Sequence, residues 1–226
     1  MSHIFFRSGV KRMETALTKE LIRLGKERVK NLPVEGFVPG QGSLHPLFML
    51  IGEAPGETEI GNLIPFSGRA GKELMKFFDR LEVSREDVYI TSTVRSRPYK
   101  IKQKVSVKTG EKTIRKYNRP PTKKEIIAHA PLLDAEIQTV NPPIILTMGN
   151  IGLKRILGNV GMVTELHGQL YTGPIQKLQS LNSNQFIWTE KNYRVFSTFH
   201  PAAIFYNRQL QSLIMEDLTT FKRLIH

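Results

Sequence analysis

The stretch IGEAPGETEIGNLIPFSGRAG, residues 51–71, sets Glu53, Glu57 and Glu59 among five glycines. Glycine-rich turns after a first strand often cradle phosphate on backbone N–H groups. A phosphate loop, however, needs a Lys followed by Ser or Thr after its glycines, and three acids repel phosphate unless a metal intervenes. No G-x-G-x-x-G follows any predicted strand, so a dinucleotide fold is also disfavoured. Acids in a basic chain suit a site that stabilises developing positive charge while the surrounding surface grips an anion. Two further segments, TSTVRSRP (91–98) and STFHPAA (197–203), offer Ser92 and His200 as polar partners for that turn.

Those residues need a scaffold that delivers them to one place. LFMLIG (47–52), DVYITSTV (87–94), PPIILTMG (142–149) and NYRVFSTFHP (192–201) read as four strands, the first and third as buried apolar runs. Between them lie helical patterns. ALTKELIRLGKERVKNL carries Leu17, Leu21, Leu24 and Val29 at roughly helical spacing and ends before Pro33. GKELMKFFDRLEV turns Leu74, Phe77, Phe78 and Leu81 inward, and Thr122 with Glu125 has capping-box spacing at the start of a long helix. NIGLKRILG is a short helix, and NRQLQSLIMEDLTTFKRLI closes the chain as another. Strands alternating with helices argue for a parallel sheet covered on both faces. Ligands bind outside the carboxyl ends of such strands, which brings Glu53, Ser92 and His200 towards one edge.

Composition narrows the partner. The 226 residues include 33 Lys and Arg against 20 Asp and Glu, a formal charge of +13, and are 40% hydrophobic. Such a chain can bury a core, and its charge favours a polyanion, nucleic acid first. There is no cysteine, which removes disulfides, Cys nucleophiles and thiolate metal sites. No apolar run reaches the ~18 residues of a membrane span, and the amino-terminal segment does not read as a secretory signal. A cytoplasmic, monomeric protein with no membrane partner is expected.

VPGQG, LIGEAPGETE, PFSGRAGKEL, VYITSTVRSRP, NRPPTKKEI and TFHPAA resemble, in order, the blocks of the family 4 uracil-DNA glycosylases, from about residue 38 to the end. The resemblance implies an α/β fold: a three-layer αβα sandwich with a central, mainly parallel four-stranded sheet in a single domain over 1–226. It also implies hydrolysis of the N-glycosidic bond of uracil in DNA, as a monofunctional hydrolase of base-excision repair. A base must leave the stack before that bond can be reached. Phe66 is the natural stacking platform, with Gly52, Ala54 and Ser92 the remaining base-binding positions. Bond cleavage leaves negative charge on the base and an oxocarbenium-like sugar, which acids and a hydrogen-bond donor can stabilise. Glu53, Glu59 and His200 are the catalytic candidates. Ala202, Ile204 and Tyr206 lie on the segment that would enter the DNA, Ile204, Phe205 and Tyr206 being candidate wedges for the vacated stack; the same residues are equally suited to begin the last helix and pack inward.

The sequence departs from the family pattern in two ways. Ser92 stands where the family usually has Asn, replacing a bidentate edge reader with one hydroxyl; either uracil recognition is weaker or hypoxanthine or xanthine is tolerated. Ser96 and His129 stand where relatives place two of four cysteines on an iron–sulfur cluster. A hydroxyl and an imidazole do not replace thiolates there, so a chain with no cluster, metal or redox cofactor is expected, its structural work done by packing of the first helix on the RSRP segment or by another contact. A non-catalytic DNA-binding or damage-recognition protein with a decayed pocket is the competing reading.

Between Arg95 and Arg119 stand ten Lys or Arg residues and one acid, Glu111. KTGE between two alternating runs predicts a basic hairpin insertion at about 98–119. Arg95, Arg97, Lys100, Lys102, Lys104, Arg115, Lys116 and Arg119 are its candidate DNA contacts, binding phosphates without reading sequence.

Overall fold

A computed structural model of the chain describes residues 14–105 and 112–226. In chain order the elements are α1 (Lys19–Arg28), β1 (Val34–Glu35), β2 (Gln41–Gly42), β3 (Met49–Gly52), α2 (Glu57–Asn62), α3 (Arg69–Leu81), β4 (Tyr89–Ser92), β5 (Arg97–Val105) and β6 (Lys112–Asn118). There follow α4 (Lys123–Val140), β7 (Ile145–Met148), α5 (Asn150–Leu157), α6 (Val163–Leu166), β8 (Leu170–Leu178), β9 (Phe186–Thr198) and α7 (Leu210–Ile225). The predicted apolar runs become β3, β4, β7 and β9, and they pair in parallel in the order β4-β3-β7-β9. The sheet nevertheless has six strands rather than four, because β2 and β8 add antiparallel edges to β4 and β9. β8 contains Gly173 and Pro174 and a register shift between Pro174 and Gln176, features that sheets admit at an edge and that hide a strand from pattern reading.

Burial explains the parallel order. β3, β4 and β7 are buried at every residue, the pattern of strands covered on both faces. Phe48, Met49, Leu50 and Ile51 meet Leu74, Phe77, Phe78 and Leu81 of α3 and Leu218 and Phe221 of α7 in one core. The register sets Gly52 opposite Ser92, and Met148 opposite Thr198, so the strands end in step at one edge.

α1 packs on α4 rather than on the RSRP segment. A Cβ on Gly25 would come within 2.5 Å of Leu132, so glycine allows the two helices to approach closely. Arg28 then donates to the Ala128 carbonyl at 2.8 Å, the Ile127 carbonyl at 3.1 Å and the Leu181 carbonyl at 2.6 Å. Nearby, Glu136 of α4 accepts from the Gly40 amide at 3.1 Å, the Tyr89 hydroxyl at 3.2 Å, the Thr91 hydroxyl at 2.6 Å and the Arg95 guanidinium. Arg95 also donates to the Ser92 carbonyl. A buried charge is tolerated when it is both paired and hydrogen-bonded, and Arg95 is 1% exposed. It is part of the interior and not a DNA contact, which corrects its assignment to the hairpin surface.

Ser96 and His129 are buried in the same region, and neither the Ser96 hydroxyl nor either ring nitrogen of His129 has a hydrogen-bond partner. Desolvation, with Arg95 and Arg28 adding repulsion, takes His129 from its usual 6.5 to about 3, so the ring is neutral at physiological pH. With no cysteine in the chain, these residues do not fit a thiolate-held cluster.

Candidate active site

The acidic turn is a clamp built by Glu59. One carboxylate oxygen accepts from the Gly56 amide at 3.1 Å and the other from the Gly68 amide at 3.0 Å. These glycines are the N-cap positions of α2 and α3. A single buried acid therefore satisfies donors that helix starts leave orphaned and ties the two helices together. Each oxygen accepts one backbone amide, so Glu59 holds the loop, and it also lines the cavity beside the turn. Glu53, at the end of β3, is half-buried, and desolvation raises its pKa. It lies beside the cavity and is not one of its lining residues.

That cavity encloses about 370 Å³. Ala54, Phe66, Ser92, Asn118, His200 and Ala202 line it, with Arg69, Phe205 and Tyr206 also contributing. Phe66 has a left-handed φ of 53°, uncommon for a bulky residue. Arg85 holds it by donating to the Pro65 carbonyl at 2.9 Å and to the Phe66 carbonyl. The ring lies against bare backbone, since a Cβ on Gly52 would sit 2.4 Å from it. Gly52 thus makes room for the Phe66 ring.

His200 follows β9 and caps the short 3-10 turn Pro201–Phe205. Its ring stacks on Phe66 with centroids 5.8 Å apart and planes 29° from parallel. Nδ1 accepts the Ala202 amide at 3.2 Å, leaving Nε2 to carry the proton of the neutral ring. Burial lowers the pKa to about 4 against the opposing charge of Glu59. The residue is therefore a neutral donor, suited to meet negative charge developing in the cavity without first losing a proton. Gly149, with φ 86°, permits the close approach, as a Cβ there would lie 3.2 Å from the His200 Cβ.

The sequence reading passed over Asn118. Its side-chain oxygen accepts from Arg97 Nε at 2.6 Å, which directs the NH₂ group to the other side, 3.3 Å from where a Gly56 Cβ would stand. Arg97 is itself fixed by Glu35 at 2.7 Å. Asn118 closes the hairpin just before the helix signal PPTKKE, so its place in the cavity becomes visible only once β6 is folded back. Arg69, exposed and 3.9 Å over the Phe205 ring, was likewise missed.

Among the hairpin cations, Lys100, Lys102 and Arg115 are exposed. Arg97 is 3% exposed, so it serves the fold and its assignment as a DNA contact is corrected, while Arg119 is partly exposed and donates to Glu125 at 2.6 and 2.8 Å. Lys116 is shared with Glu35. Lys104 sits in the ladder opposite Thr113, and the KTGE turn lies outside the described residues. Of the wedge candidates, Ile204 packs against the core, which removes it as a wedge, Phe205 is under Arg69, and Tyr206 is 89% exposed.

The family model described as "Uracil DNA glycosylase superfamily" matches residues 39–220, a span that includes every residue of the cavity. The chain belongs to the uracil DNA glycosylase superfamily. It is 33% identical over 188 residues to the type-4 uracil-DNA glycosylase of Saccharolobus solfataricus, covering 82% of this chain and 74% of that protein. The type-4 enzyme of Sulfurisphaera tokodaii is 33% identical over 192 residues, covering 83% and 74%. That of Thermotoga maritima is 30% identical over 217 residues, covering 92% and 96%.

Proposed function

We propose that this protein is a monofunctional uracil-DNA glycosylase: it hydrolyses the N-glycosidic bond of a base flipped out of DNA, uracil foremost, and leaves an abasic site. The observation that carries the reading is the neutral His200 stacked on Phe66 at the wall of a base-sized cavity. A flipped uracil lies on Phe66. As the C–N bond breaks, its electrons move onto the base, and the His200 Nε2–H stabilises the charge on a carbonyl oxygen. The Asn118 NH₂ group and the Ser92 hydroxyl face the polar edge. A group fixed as a donor pairs with carbonyl oxygen and is mismatched to the amino group of cytosine, which favours deaminated bases. Water adds to the sugar carbon and loses a proton, and the departing base gains one.

Glu59 accepts two backbone amides and lines the cavity, and Glu53, at the end of β3, is assigned to stabilise the cationic sugar or take the proton from water. Burial raises the pKa of Glu53 above the ordinary carboxylate value, which makes it a stronger base than an exposed glutamate. Exposed Lys100, Lys102, Arg115 and Arg69 are assigned to phosphates. A single domain acting as a cytoplasmic monomer completes the proposal; among the described residues no helix is long and apolar enough to cross a membrane. Ser92 in place of the family's Asn favours a second reading, in which hypoxanthine or xanthine is also accepted.

End-labelled oligonucleotides carrying uracil, hypoxanthine or xanthine, cleaved with alkali after incubation, test the proposal. Glu53→Gln is expected to lower release about 100-fold while DNA binding stays within about twofold. Glu59→Gln is expected to lower both release and thermal stability, because it loosens the clamp. Release unaffected by Glu53→Gln would overturn the assignment.

A further inference from the structure

The hairpin is two-faced, and its pocket-side face sets two isoleucines among polar residues. The register pairs Ile101 with Lys116, Gln103 with Ile114 and Tyr99 with Asn118. Directly paired residues share a face and alternate residues return to it. One face therefore carries Tyr99, Ile101, Gln103, Lys112, Ile114, Lys116 and Asn118, and the other carries Lys100, Lys102, Arg115 and Tyr117. Contacts agree: Lys116 lies 4.4 Å over the Tyr99 ring, and Lys102 lies 5.7 Å over that of Tyr117. Asn118 lines the cavity, so the face with the two isoleucines is continuous with it.

A groove of about 920 Å³ runs along the hairpin, lined by Ile101, Ile114, Arg115, Lys116 and Tyr117 and sharing Glu57 and Asn118 with the cavity. Ile101 is 62% and Ile114 72% exposed. Bare isoleucines on a ribbon otherwise rich in lysine have no use in holding duplex phosphates, which calls only for charge. They do suit unpaired bases, which pack on apolar and aromatic side chains while cations track the backbone. The two isoleucines stand in a groove whose other lining residues are Glu35, Glu57, Arg97, Arg115, Lys116, Tyr117 and Asn118, and the groove adjoins the pocket.

We propose that this groove binds the nucleotides next to the target base as single-stranded DNA, and that the enzyme prefers single-stranded or frayed substrate to intact duplex. The proposal rests on the glycosylase reading of the cavity. It is tested with Ile101→Ser combined with Ile114→Ser, both exposed, with the melting temperature recorded to confirm the fold. A fluorescein-labelled, uracil-free thymidine 12-mer and a 12-base-pair duplex are titrated at fixed salt, and uracil release from matched single and double strands is measured. Wild type is expected to bind the single strand more tightly. The double variant is expected to lose about tenfold in single-strand affinity and to stay within about twofold on duplex. Equal loss on both, no loss, or a wild-type preference for duplex would overturn the groove. If wild type releases no base yet single-strand binding depends on the isoleucines, the groove stands and the glycosylase reading falls. Release that proceeds without regard to the isoleucines leaves the glycosylase reading standing and removes the groove.

Discussion

His129 is fully buried with both ring nitrogens unpartnered, and replacing it with Leu tests how the interior around Arg95 is held. An unpaired buried polar group costs about 1–3 kcal/mol, and Leu fills a similar volume without it. At pH 7.5 the variant is therefore expected to equal or exceed wild type in stability, by up to about 3 kcal/mol. The acid side is sharper. The folded ring titrates near 3 and the unfolded one near 6.5, so between these values the unfolded chain takes a proton that the folded one refuses. Stability contributed by the neutral ring is present above the unfolded value and is lost as pH falls, by about 1.4 kcal/mol per unit. At pH 5 wild type should have lost about 2 kcal/mol through His129, and His129→Leu should not show that loss. Urea unfolding at pH 7.5, 6 and 5, compared at constant m-value, measures it. His200, lowered to about 4, adds a loss of the same sign to both proteins and cancels in the difference. Parallel stability curves for the two would refute the reasoning.

Gly52→Ala places a methyl group 2.4 Å from the Phe66 ring, so base release should fall at least about tenfold with little change in DNA affinity. Asn118→Asp turns a donor towards a carbonyl oxygen into an acceptor and should lower uracil release about 100-fold, read in single-turnover assays. Lys100→Gln with Lys102→Gln should weaken binding to all sequences alike and flatten the plot of log affinity against log salt by about two.

Much of the scaffold was legible because single residues and short runs carried it. The apolar runs MLIG and ILTM became buried parallel strands, and Thr122 with Glu125 forms the capping box at the start of α4. What escaped depended on partners distant in sequence. Arg95 looks like any hairpin cation until Glu136, 41 residues on, neutralises it in the interior. Arg97 is likewise claimed by Glu35. Counting charge along the hairpin could not sort its faces, since alternation assigns them only when the register is known. Glu59 read as a catalytic acid by type, and the sequence did not reveal that it also clamps the starts of α2 and α3. Phe66 and His200 were legible by motif, whereas their stacking depends on the room left at Gly52 and Gly149.

The most direct test of the account is single-turnover release of uracil from an end-labelled single strand by wild type and by His200→Ala. Wild type should release uracil, and loss of the Nε2–H donor should slow release about 10²–10³-fold while binding of the same strand is retained. Equal rates in the two proteins, or no release by wild type, would contradict it.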